Sequence, residues 1–144
     1  MSEIIKTSHA VLISEDLSTT LVESNLRFWW KFTLFWWKLN ENENPIEWLK
    51  RELFEETWIV FADDDIKILV ENDELILWEK KFIWFIYYII LGKSKINKIL
   101  NHSERNTQIE TSIPSLWKVE FAFDRVREQI NRCLDLLNNN KLNN

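Results

Sequence analysis

Glu52, Glu55 and Glu56 stand at i, i+3 and i+4 within the segment NPIEWLKRELFEET (44–57). At ~100° per residue that spacing gathers three carboxylates on one side of a helix. The segment carries the marks of a helix. Asn44 is a favoured N-cap, Pro45 suits the first helical position, and Glu47 sits where a capping-box acid belongs. Ile46, Leu49, Leu53 and Thr57 fall within an arc of about 80°, and the three acids occupy the adjacent arc. A cluster of hard oxygen donors suits Mg²⁺ or Mn²⁺. Such a cation would neutralise phosphate oxygens and orient a water for displacement at a diphosphate linkage. Taken alone, three acids on a helix also describe an ordinary solvated face. Two features favour a site: no lysine follows any of the acids at i+4, and they adjoin the apolar stripe instead of opposing it.

The chain has 144 residues, enough for one domain with its own core. Its net charge of -5 argues against a binder of nucleic-acid polymers, which usually presents a basic face. It leaves an anionic small molecule open, because a metal can supply positive charge. A single cysteine, Cys133, rules out a disulfide within the chain, and the expectation is a reducing, cytoplasmic setting. The start MSEIIKTSHA does not read as a signal peptide. The most apolar run, FIWFIYYIIL (82–91), is far shorter than the ~20 residues that span a bilayer, so no membrane partner is expected.

Around the acids a longer pattern is present. Position 37 is followed after five residues by Glu43, then after seven by Arg51-Glu52-Leu53, then by Glu55-Glu56, and after two more residues by Ile59. This resembles the signature of the Nudix hydrolases: Gly, five residues, Glu, seven residues, Arg-Glu, an aliphatic residue, any residue, Glu-Glu, any residue, Gly, an aliphatic residue. Every charged and aliphatic position matches, across 37–59. The resemblance implies an α/β fold, a Nudix-type α/β/α sandwich with a mixed β-sheet. It implies a metal-dependent pyrophosphohydrolase acting on a nucleoside diphosphate derivative. Glu52, Glu55 and Glu56 would hold Mg²⁺ or Mn²⁺, joined by the backbone carbonyl of Trp37. Arg51 and Glu43 would form a pair that orients loop and helix. The general base would be Glu52 or an acid outside the signature, with Glu104, Glu110 and Glu120 as weaker candidates. Lys38 and Arg27 are candidates for contact with substrate phosphate. Monomer and homodimer both stay open.

The departure from the pattern is confined to its glycines, where Trp37 and Trp58 stand instead. Trp36-Trp37-Lys38 takes the place of the family's Gly-Gly-Lys, FWWK (28–31) would be a plain turn as FGGK, and Trp48 stands where a small residue is usual. Average usage predicts roughly 10 glycines in a chain this long. This one has one glycine and nine tryptophans. Position 58 follows the last helical turn, where a left-handed residue and hence glycine is expected. The pattern is that of UGA codons meaning glycine but printed as tryptophan. The alternative is a natural tryptophan-rich protein whose indoles pack as core or cover a ligand base, which gives weight to a catalytically inactive nucleotide-binding or regulatory module.

The remaining elements follow from periodicity. SHAVLIS (8–14) and TTLVES (19–24) read as a strand hairpin, and KFTLF (31–35) alternates. IKILVE (66–71) and ELILWE (74–79) read as strands around an Asn72-Asp73 turn, and KFIWFIYYIIL (81–91) as a central buried strand. A short helix is expected at 94–101, a last strand at 117–123, and a helix over 124–137. The domain thus spans 1–137, followed by an Asn-rich flexible tail at 138–144. GKS (92–94) lacks the upstream glycine of a phosphate loop, His9 and His102 are too far apart to suggest zinc, and Cys133 lies on an apolar helix stripe. The alternating strands and the acidic charge speak against a membrane-interface or glycan-binding role for the Trp-Lys stretch.

Overall fold

The computed structural model describes residues 3–24, 26–40, 42–102 and 108–142, with side chains through residue 140. Among the described residues seven strands and three α-helices follow in the order β1 (Ile4–Ser14), β2 (Thr19–Ser24), β3 (Phe32–Thr33), β4 (Phe35–Lys38), α1 (Pro45–Thr57), β5 (Lys67–Leu77), β6 (Lys80–Leu91), α2 (Lys93–His102), β7 (Gln108–Ser112) and α3 (Asp124–Leu142). The sheet order is β3-β2-β1-β6-β5, with β4 also on β1 and β7 also on β2. β1 is the hub. It runs parallel to β6 from Ile4↔Lys81 to Ser14↔Leu91, and antiparallel to β2 at one end and β4 at the other.

The alternation along β1 creates the layers. Ala10 and Leu12 pack with Leu49 and Leu53 of α1 and Ile96 and Ile99 of α2. Val11 and Ile13 point the other way, toward Val126, Ile130 and Cys133 of α3. Both faces of a mixed sheet are therefore covered by helix, as expected for an α/β/α sandwich. Among the described residues no helix is long and apolar enough to cross a membrane.

Three expectations are corrected. The Asn72-Asp73 turn does not form: β5 continues through it with register shifts, and the chain reverses at Trp78-Glu79. Asp73 reads as a turn residue, but its carboxylate accepts from Arg125 Nη1 at 2.9 Å and from Gln129 Nε2 at 2.7 Å on α3. Those partners lie more than fifty residues away, which is why local sequence could not reveal them. The strand expected at 117–123 is instead the end of a 3-10 turn (Ile113–Lys118) followed by a single bridge, Phe32↔Phe121. α3 continues through Leu142, past the expected end at 137.

Seven non-glycine residues among those described have positive φ, and four of them are Trp29, Trp30, Trp58 and Trp78, at φ 56°, 62°, 60° and 52°. A left-handed conformation costs a residue with a side chain roughly 1–2 kcal/mol, and bulky residues are genuine outliers there. Trp78-Glu79 forms a two-residue hairpin loop with both φ positive, the arrangement that selects Asn-Gly or Gly-Gly. The one glycine, Gly92, is not among the positive-φ residues.

Candidate functional site

The helix that carries the acids starts as its sequence dictates. The Asn44 side chain accepts from the N–H groups of Ile46 and Glu47, Pro45 follows, and Leu49, Leu53 and Thr57 are buried. That seats α1 on the sheet by its apolar stripe and turns Glu52 and Glu56 to the margin of the core, half-buried, with Glu55 exposed. Burial, then repulsion from Glu55, raises the Glu52 carboxyl above its ordinary range, against the pull of Arg51. Burial also raises Glu56, with Glu52 and Glu55 adding to it. Glu56 Oε1 accepts from Trp37 Nε1 at 3.2 Å, whereas its Oε2 is buried and has no partner.

The other signature residues have local roles. Glu43 Oε1 accepts from the Asn40 N–H at 2.8 Å and closes the loop ahead of α1. The Arg51 guanidinium carbon lies 3.9 Å from the centroid of the Trp48 ring. The expected pair of Arg51 with Glu43 is absent from the ion pairs of the described residues, because the indole face one turn back attracts the cation. Trp37 is not in the loop but in β4, opposite Ser8 of β1, and its indole reaches across to α1. Among the described residues no group of three or more acidic, histidine or cysteine side chains comes close enough to hold a metal ion. The donor chemistry nevertheless suits a hard cation, and the orphaned Glu56 Oε2 is an acceptor that lacks a positive partner.

Alternation along β4 sends Trp36 and Lys38 to the opposite face from Trp37. There they line a cavity of about 430 Å³, within the range of roughly 300–1,000 Å³ usual for small-molecule sites. Its walls are aromatic: Phe28, Trp36, Trp78, Phe82, Trp84 and Phe123. Phe28 stacks on Trp78 and meets Phe123 edge-on at 5.2 Å. Arg27, Lys38 and Lys80 also line it. On β1, His9 is buried, shares a 2.6 Å hydrogen bond with Thr7 Oγ1, and lies 4.3 Å from Trp84. Burial holds the imidazole down at about 3, so it is neutral near pH 7. The structure thus brings Lys38 and Arg27 to the cavity and Glu52, Glu55 and Glu56 to α1, with β4 between them.

Sequence reading missed the cavity, which draws on many separated segments, and it missed Glu23. On β2, Leu21 packs in the α1-side core, so Glu23 two residues on faces the same way. Its carboxyl is pushed up to about 8 by burial and then by Glu56, against hydrogen bonds from the Gln108 side chain and the Trp36 backbone. An acid at an inward position of an alternating strand was the available signal. Glu110 accepts from Thr19 Oγ1 and Glu120 pairs with Lys31, while Glu104 lies outside the described residues.

No protein-family model and no curated protein matches the chain. Solved structures do. A mutT/nudix family protein from Listeria innocua is similar at TM-score 0.77 and 16% identity, over 100% of this chain and 99% of that one. The NUDIX domain of Shewanella oneidensis NrtR, complexed with ADP ribose, is similar at TM-score 0.70 and 16% identity, over 95% and 90%. NrtR from the same organism, complexed with a 27mer DNA, is similar at TM-score 0.70 and 19% identity, over 89% of this chain and 61% of that one. With helices on both faces of its mixed sheet and the acidic helix at its margin, the chain has the Nudix fold.

Proposed function

We propose that this chain is a divalent-cation-dependent hydrolase that cleaves the diphosphate linkage of a nucleoside diphosphate derivative in the cytoplasm. The observation that carries the reading is the placement of the α1 acids and the aromatic cavity on either side of β4. Glu52, Glu55 and Glu56, with the Trp37 carbonyl, would hold Mg²⁺ or Mn²⁺, and a bound cation would supply charge neutralisation at the phosphate and orient a water. Glu52, or an acid outside the signature, would take the proton of the attacking water on its carboxylate. Arg51 and Glu43 position the helix and the loop before it. Lys38 and Arg27 bind phosphate from the cavity side, and the aromatic walls stack the base. ADP ribose, the ligand of the NrtR NUDIX domain, belongs to this chemical class. Phosphate or monophosphate release from ADP-ribose, dinucleoside polyphosphates and nucleotide sugars with Mg²⁺ or Mn²⁺ tests it, and a panel with no turnover would overturn it. One contact favours a second reading, a non-catalytic nucleotide-binding module: the Trp37 indole already engages Glu56. Binding of ADP-ribose without turnover, by forms with Trp and with Gly at 37 alike, would decide for it.

The active form of this chain carries glycine where tryptophan is printed. Four of the nine tryptophans sit at left-handed φ, Trp37 hydrogen-bonds a proposed ligand, and Trp48 covers Arg51. The codons decide it: UGA at these nine positions supports the reading and UGG refutes it. Peptide masses of the protein from its own cells provide the second check, since a printed tryptophan that is glycine is lighter by the mass of the missing side chain.

A further inference from the structure

Strand β1 presents Ile5, Thr7, His9, Val11 and Ile13 to one face of the sheet, because residues two apart share a side. Val11 and Ile13 lie in the core beneath α3. Ile5, Thr7 and His9 instead line the aromatic cavity. Two polar residues thus interrupt an apolar stripe at the place where the core gives way to the cavity. Both are buried, Thr7 at 1% and His9 at 5% exposure.

A buried polar side chain is tolerated when its hydrogen bonds are met. Thr7 Oγ1 and His9 Nε2 meet each other at 2.6 Å. That contact engages one ring nitrogen, and Nδ1 is the one that can meet a ligand. The threonine hydroxyl can turn. When it donates to Nε2, Nδ1 carries the proton and is a donor; when it accepts from Nε2–H, Nδ1 is an acceptor. Thr33 also lines the cavity, but its hydroxyl is committed to the Leu34 carbonyl at 2.9 Å. Arg27, Lys38 and Lys80 bring positive charge to the lining, which suits phosphate. Burial keeps the imidazole uncharged, which suits the edge of a neutral ring. Flat rings already lie against it: Trp84 at 4.3 Å, and Trp36 at 6.2 Å with only 17° between the planes. Glycine at 36 and 84, as in the active form proposed above, would open to a ligand the places that these indoles hold.

We propose that Thr7 and His9 select the base that enters the cavity: the hydroxyl fixes the imidazole, and Nδ1 makes a hydrogen bond to the polar edge of a nucleobase. This rests on the reading above that the cavity takes the base of a nucleoside diphosphate derivative. It gives an apolar pocket the few placed polar groups that fix a ligand's orientation.

Titration calorimetry with ADP, GDP, CDP and UDP in the presence of a chelator tests it, with pyrophosphate as the probe that has no base. The parents are the full chain and its Trp36→Gly/Trp84→Gly form. At least one of them should bind one of the four diphosphates more tightly than the rest. His9→Phe keeps a ring in place and removes both nitrogens. It should weaken the preferred diphosphate by about 5- to 10-fold, the scale of one neutral hydrogen bond. It should also draw the four affinities together and leave pyrophosphate unchanged. Thr7→Val should act in the same direction by a smaller factor. A merely structural pair predicts lower thermal midpoints with the parental order of affinities, and that result overturns the inference. If the parent hydrolyses diphosphates with Mn²⁺ while His9→Phe keeps the parental order, the inference fails and the hydrolase reading stands. If His9→Phe loses the preference and the parent turns over no substrate, the inference stands and the hydrolase reading fails. If neither parent prefers any of the four, the inference fails. Should His9→Phe not fold, Thr7→Val carries the test, and the parental order there counts against the inference.

Discussion

The two ends of α1 obey different rules. At its start, Asn44 caps two N–H groups and Pro45 occupies the first turn, so every local preference agrees with the structure. At its end, Trp58 sits at φ 60° with a 66% exposed indole, and its N–H reaches back to the Phe54 carbonyl at 2.7 Å. The backbone there makes a normal left-handed helix stop, and only the side chain is out of place. The backbone at position 58 has the left-handed geometry that favours glycine, while an indole occupies it. The same end carries Glu52, Glu55 and Glu56, so the misfit lies next to the proposed chemistry.

The largest consequence concerns those acids. Glu55→Gln, at an exposed position, should lower kcat/KM on the best diphosphate substrate by at least about 100-fold, the scale of one lost electrostatic group. Its circular dichroism should match the parent's, and parental turnover would detach the carboxylate face from catalysis. Next comes Trp58→Gly. It should raise stability by about 1–2 kcal/mol, read as a higher urea midpoint with unchanged slope, because it releases a strained left-handed residue.

Proton linkage at Glu23 on β2 gives an effect of similar size. Burial and Glu56 raise the Glu23 carboxyl to about 8, so the folded state keeps a proton that the unfolded chain has lost above its ordinary pKa of 4.5. The stability from this group is full below 4.5 and is lost as pH rises through 8. Between pH 7 and 8.5 the metal-free protein should lose about 1 kcal/mol, and Glu23→Gln should flatten that slope. His9, held at about 3, is neutral in the folded state there and mostly neutral in the unfolded chain at its ordinary value of 6.5, so it adds only a small opposite slope near pH 7.

At the other end, Asn44→Ala should cost about 1 kcal/mol by freeing two N–H groups. The smallest effect separates turn from helix interior. Trp48→Gly should destabilise by roughly 0.5 kcal/mol, since glycine is a poorer helix former than tryptophan. The same replacement thus carries opposite signs ten residues apart. Equal signs in urea titrations would remove the case that backbone geometry distinguishes these tryptophans.

Much of this was legible locally. The acids of α1, its cap and its apolar stripe follow from spacing over a dozen residues, and the hairpin of β1 with β2 from simple alternation. The reversal at Trp78-Glu79 was hidden, because a glycine-type turn was written with an indole and the true strand residue Asp73 looked like a turn. Arg51 pairs with an indole and not with Glu43 for the same reason: the printed ring offers a nearer partner than the signature allows for.

The sequence by itself determined the helix with its three carboxylates, the alternating strands and the deficit of glycine, since each depends on neighbours within a few residues. Only the tertiary structure decided that Glu23 lies opposite Gln108 of β7, that Asp73 anchors α3, and that six aromatic rings surround one cavity. Those contacts join segments tens of residues apart, and their energies are set by burial and by the partners that the sheet register brings into reach.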